Sequence, residues 1–100
     1  EKYLMEVKGC TLEIDGIGYF PDAPSERAVR HLHELMHAAK QGYHCILAFV
    51  IAMPGVMVVR PNMTTHPAFG QALSEAMAAG VEVWYLPCEI TADSIKITED

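Results

Sequence analysis

The sequence predicts an α/β (α+β) fold, a mixed central β-sheet flanked by two helices. Three observations lead there. Short β-rich runs alternate with two segments of helical apolar periodicity. One of those runs, "CILAFVIAM", is apolar throughout and bounded by turn residues, as a central strand covered on both faces would be. The chain has 100 residues, 51% of them hydrophobic, enough for one core and too few for two.

The elements follow in order. Tyr3 to Leu12 reads as a strand, Asp15-Gly16 as a hairpin turn, and Ile17 to Phe20 as the returning strand. "PDAPSERAVRHLHELMHAAKQG" opens with the N-terminal signals Pro24 and Ser25 and stops at Gly42. Within it Ala28, Leu32, Leu35, Met36 and Ala39 recur at helical spacing, so a helix is expected near residues 25 to 41. Cys45 to Met53 is the central and most buried strand, ended by Pro54-Gly55, and "VMVVR" is a shorter one. "RPNMTTHPAF" is a polar loop that delivers Pro67 to the first turn of a second helix, near residues 67 to 79. Phe69, Leu73, Ala76 and Met77 form its apolar stripe. "VEVWYLPCEI" and "SIKI" finish as strands, giving a three-layer arrangement of sheet and helices.

Composition excludes several functions. A net charge of −6 argues against this surface alone gripping a polyanion, because affinity for nucleic acid rests on neutralising phosphates. Cys10, Cys45 and Cys88 sit in apolar runs without CxxC spacing, which suits reduced, packed thiols in a cytoplasmic protein and not a zinc site. The longest apolar run is too short to cross a bilayer, so no membrane partner is expected.

The best-known motif in the chain is a decoy. His33-Glu34-Leu35-Met36-His37 matches HExxH, the zinc-protease pattern of two histidines one helical turn apart with a glutamate base. On a helical wheel, however, His33 and His37 fall with Glu26, Arg30, Lys40 and Gln41, opposite Leu32, Leu35 and Ala39. That face is solvated, and it offers neither a third ligand nor a dry cavity.

A less famous pair carries more chemistry. In "LMEVKGCTL" Glu6 and Lys8 are two positions apart, so an extended strand projects both from one face, away from Met5 and Val7. Charges on a buried face are costly unless paired, metal-bound or facing a wet cleft, so the pair is either a structural ion pair or a site. Arg27 and His31 lie one turn apart on the border of the first helix's apolar stripe, where side chains reach a cleft at the sheet edge. Each also has a plain reading: Arg27 as a surface arginine, His31 as a half-buried histidine satisfied by a carbonyl, and Asp22 as a turn or cap carboxylate.

Taken together, "EVKGCTL", "GYFPDAPSERAVRHLHEL" and the later "GVEVWYLPCEI" resemble the C-terminal domain of the sugar fermentation stimulation protein A family, over nearly the whole chain. The resemblance implies a restriction-endonuclease-like, PD-(D/E)XK fold joined to an N-terminal OB-like domain, and a DNA-associated role in the regulation of sugar metabolism. It implies that Glu6 matches the metal-binding glutamate of E-x-K and Lys8 the lysine that polarises water and offsets phosphate charge. Arg27 and His31 would then touch phosphate or orient water, and Asp22 would sit nearby as a further carboxylate toward the metal. A hard cation, Mg²⁺ or Mn²⁺, fits such a site.

Two departures qualify that expectation. The Asp-bearing strand and the OB-like domain are expected before residue 1, so the 1–100 nuclease-like domain alone would hold an incomplete metal site and be a poor nuclease. Ala28 stands where the family usually has Gly, and Gly9 where Ser or Asn is common. The expected partner is therefore DNA, reached through the full-length protein, with a homo-oligomer left open. The competing expectation is a non-catalytic regulatory domain packed on an N-terminal DNA-binding domain.

Overall fold

A computed structural model describes residues 2–90 and 95–97, with side chains described as far as Cys88. The elements run β1 (Tyr3–Cys10), β2 (Leu12–Ile14), β3 (Ile17–Phe20), α1 (Glu26–Lys40), β4 (His44–Ile51), β5 (Val59–Pro61), α2 (Pro67–Ala78), β6 (Glu82–Ile90) and β7 (Ile95–Ile97). They form a mixed α/β fold with two sheets. The larger has the order β1-β4-β6-β7, with β1, β4 and β6 parallel and β7 antiparallel. The smaller has the order β2-β3-β5.

The expected strand from Tyr3 to Leu12 is in fact two. It pairs with β4 as far as Cys10, breaks at Thr11, and re-forms as β2 in the second sheet. The β2–β3 hairpin closes at Asp15 and Gly16, whose φ values of 53° and 84° are those of a type I′ turn. Gly18 then lets β3 lie close against β1. A Cβ there would stand 3.0 Å from the Cys10 sulfur and 3.1 Å from the Val58 carbonyl oxygen. The shortened β5 pairs parallel with β3, so "VMVVR" contributes only its last two residues to a strand. Residue 94, at the start of "SIKI", lies outside the described residues.

α1 begins where its cap dictates. Ser25 adopts an extended backbone, and its Oγ accepts a hydrogen bond from the Ala28 N–H at 3.1 Å. The Ser25 N–H donates to Nδ1 of His66 at 2.9 Å, and His66 is the residue that precedes α2. One buried histidine thus ties the starts of both helices together. Pro67 occupies the first turn of α2, where a missing N–H costs nothing. The buried stripe of α2 is Phe69, Ala72, Leu73 and Ala76. Met77, expected on it, is 55% exposed, since one position past Ala76 turns a side chain by about 100°.

The core lies between the helices and one face of the larger sheet. Leu32 and Leu35 of α1, Phe69 of α2, and Cys45, Leu47, Phe49 and Ile51 of β4 form it, with Val56 and Val59 from the second sheet's side. Phe20 joins the sheets, its ring centroid 5.4 Å from that of Phe49 and 5.1 Å from that of Phe69. β4 is the central and most buried strand, as its unbroken apolar run requires. Both helices pack on the Phe49 side. Among the described residues no helix covers the opposite face, so the expected three layers are here two.

Candidate active site

β1 is an edge strand whose alternate residues point to opposite faces. Leu4, Glu6, Lys8 and Cys10 share the face beneath α1, in register with Cys45, Leu47, Phe49 and Ile51. Burial of Leu32 and Leu35 holds α1 over that face and brings His31 down onto the two charged residues. The Lys8 Nζ lies 2.7 Å from His31 Nδ1 and 3.4 Å from Glu6 Oε1, and His31 Nδ1 lies 3.0 Å from the same carboxylate oxygen.

The three groups are screened from water without being sealed from it. Lys8 and His31 side chains are each 15% exposed and Glu6 is 34% exposed. Glu6 is therefore the open end of the cluster. The imidazole must choose between its neighbours. A ring with its proton on Nε2 accepts from the Lys8 ammonium, whereas a ring protonated on Nδ1 donates to Glu6, and Nδ1 cannot do both. The cluster holds an ammonium and a carboxylate side by side, with a proton carrier between them, at the edge of a parallel sheet.

The other candidates lie elsewhere. Arg27, one turn before His31, is exposed and takes no part in these contacts. Asp22 is exposed in the bend before α1. Its charge acts on Cys10, the next residue of β1 on the same face after Lys8. Burial first, and Asp22 last, hold the Cys10 thiol above its ordinary range, while hydrogen bonds to the Leu12 and Tyr19 carbonyls oppose the rise. His33 and His37 are exposed, and Gln41 Nε2 lies 3.1 Å from His37 Nε2. All three cysteines are free and buried.

A hard divalent cation needs several oxygen ligands around one point. Among the described residues no three His, Cys, Asp or Glu side chains are grouped to hold a metal ion. Glu6 alone faces the site as a carboxylate, and its Oε1 is already approached by Lys8 and His31. The residues present do not make a cation site by themselves.

Tyr85 was not singled out by its sequence. Register sets it in one row with Lys8 and Phe49, on the α1 side of the sheet, and its ring stacks on Phe49 at 6.4 Å with 41% exposure. Only the β1–β4–β6 pairing reveals that relation, since nothing local links Tyr85 to Lys8. His66, in the polar loop before α2, is buried at the core margin and has a structural role through its contact with the Ser25 N–H.

A family model described as the sugar fermentation stimulation protein RE domain matches residues 1–94. The chain belongs to the sugar fermentation stimulation protein family. A sugar fermentation stimulation protein homolog from Desulfitobacterium hafniense (strain Y51) is 48% identical over 95 residues, 95% of this chain and 42% of that protein. Another, from Clostridium beijerinckii, is 46% identical over 99 residues, 99% of this chain and 44% of that protein. Pyrococcus furiosus SfsA, solved in complex with Ca²⁺, superposes with a TM-score of 0.88 at 30% identity, over 95% of this chain and 42% of the solved one. The fold is therefore restriction-endonuclease-like, and the chain spans less than half the length of the relatives it matches. No described helix is long and apolar enough to cross a membrane.

Proposed function

We propose that these residues are the E-x-K half of a PD-(D/E)XK-type site in a DNA-associated protein, directed at a phosphodiester and completed by a carboxylate from outside residues 1–100. The observation that carries this reading is the convergence of Glu6, Lys8 and His31 within 3.4 Å on one partly open strand face. An ammonium held at 15% exposure attracts a phosphate oxygen more strongly than one in bulk water. Lys8 therefore binds the phosphate and orients a water beside it. His31 positions Lys8 through Nδ1. Glu6, the open end, offers a carboxylate toward a hard cation.

Mg²⁺ or Mn²⁺ belongs to this reading, and the Ca²⁺ bound by the Pyrococcus furiosus relative supports a cation of that class. When bound, such an ion offsets phosphate charge and acidifies water. Glu6 would hold it with the additional carboxylate. Arg27 and Asp22 are exposed and touch neither phosphate nor cation in this scheme.

A second reading is a regulatory domain that binds DNA, or another part of its own protein, without cleaving. The net charge of −6 and the single carboxylate in the cluster favour it. DNA cleavage by the full-length protein with Mg²⁺ or Mn²⁺ separates the two. Wild type should nick DNA, and Lys8→Ala should lose cleavage by at least about 100-fold, the scale of removing one positioned charged group from a site. DNA binding without cleavage of any DNA form, unchanged in Lys8→Ala and Glu6→Gln, would transfer the assignment to the regulatory reading.

A further inference from the structure

Among the described residues one polar side chain is buried, that of His66 at 7% exposure. It stands at the end of the loop that leads into α2, and its ring reaches across to the segment that leads into α1. Nδ1 lies 2.9 Å from the Ser25 nitrogen and accepts its N–H. A ring that accepts at Nδ1 carries its one proton on Nε2, so the contact needs the neutral imidazole.

The loop and the segment meet at three points. The Asn62 N–H donates to the Phe20 carbonyl at 2.9 Å, and Asn62 Nδ2 donates to the Pro21 carbonyl at 3.1 Å. Amides do not change charge between about pH 5 and about pH 8, so those two bonds are the same throughout that range. The third point, Ser25 to His66, is the one that contains a titratable group. It is also the one at the helix, because Ser25 is the N-cap of α1 and its Oγ holds the Ala28 N–H at 3.1 Å.

A proton added at Nδ1 takes the place of the lone pair. Two donors then face each other in a buried contact, and neither has an acceptor. Among the described residues the charged group within ion-pair reach of this ring is Glu26, whose Oε1 lies 3.9 Å from Nε2. That separation is too long for a hydrogen bond and the carboxylate is 91% exposed, so water screens most of the attraction it could offer an imidazolium. The lost Ser25 bond outweighs it.

We propose that His66 is an acid-sensitive latch: with its ring neutral it ties the N-cap of α1 to the loop before α2, and protonation at Nδ1 releases that end of the helix. The released end lies six residues before His31, on the helix that seats His31 over Glu6 and Lys8. The geometry of that cluster thereby depends on pH. Its importance for function rests on the E-x-K reading, whereas the latch itself rests on the His66 contact alone.

The test is amide hydrogen exchange in the full-length protein, read for residues 25–31 and expressed against the intrinsic rate at each pH. It needs neither metal nor DNA, so its outcome is independent of any nuclease activity. Protection of this segment in wild type should fall at least about tenfold between about pH 8 and about pH 5. In His66→Asn, where an amide oxygen can accept from the Ser25 N–H throughout that range, the fall should be under about twofold. Equal falls in the two proteins, or no fall in wild type, would overturn the proposal. Should His66→Asn fail to fold, wild type alone decides: the midpoint of the loss of protection should coincide with the midpoint of the His66 ring titration followed by NMR. A midpoint that follows His31 instead would place the trigger in the cluster and overturn the latch.

Discussion

His31 and the pair His33–His37 share one helix and meet opposite fates. His31 lies against Glu6 and Lys8 and is mostly covered. His33 and His37 stand in solvent two and six residues later, despite forming the better-known motif. What differs is the surface each meets. Spacing along a helix places two side chains on one face, but only a facing element with complementary groups turns a face into a site. β1 supplies those groups beneath His31, and among the described residues no element covers His33 and His37, which are exposed.

The comparison can be broken most severely at the residue that holds α1 down. Leu32 is 1% exposed, and Leu32→Ala should cost about 2–5 kcal/mol in urea unfolding, as truncation of a packed leucine does. Loss of under about 0.5 kcal/mol would mean that α1 is not seated by this contact. The next effect is the coupling across the cluster. A double-mutant cycle of Glu6→Gln and His31→Ala should give an interaction of about 0.5–2 kcal/mol, because the groups touch. The same cycle between Glu6→Gln and His33→Ala should give none within error.

On the solvent side, His33→Ala and His37→Ala should each change stability by less than about 0.5 kcal/mol. Zinc should not be retained stoichiometrically after dialysis, and retention lost on His33→Ala would restore the motif to function. The smallest effect is alkaline. Burial holds the Cys10 and Cys45 thiols above their ordinary range, so the unfolded chain ionises first as pH rises. Their contribution to stability is full below about pH 8.5 and is lost as pH climbs toward the folded-state values. The fall in urea midpoint between pH 7 and pH 10 should accordingly be shallower in Cys10→Ala than in wild type.

The sequence made the two helices and the central strand legible, because each rests on local chemistry: the Ser25 cap, Pro67 in a first turn, an unbroken apolar run in β4. It also made the Glu6–Lys8 face legible, since strand period alone fixes it. The division into two sheets was not legible. It depends on Thr11 breaking the first strand and on β5 pairing with the distant β3. Arg27 and His31 occupy the same border of the wheel, and only the position of β1 along the helix axis selects His31.

Whether the Glu6 cluster is a site or an ion pair is tested most directly by titrating Mn²⁺ into the full-length protein and following binding by calorimetry. Wild type should bind Mn²⁺, Glu6→Gln should weaken that binding at least about tenfold by removing a charged ligand from a hard-cation site, and Lys8→Met should leave it intact. Mn²⁺ binding of equal strength in wild type and Glu6→Gln, or no binding by either, would contradict the assignment and leave Glu6, Lys8 and His31 as a structural ion-pair cluster.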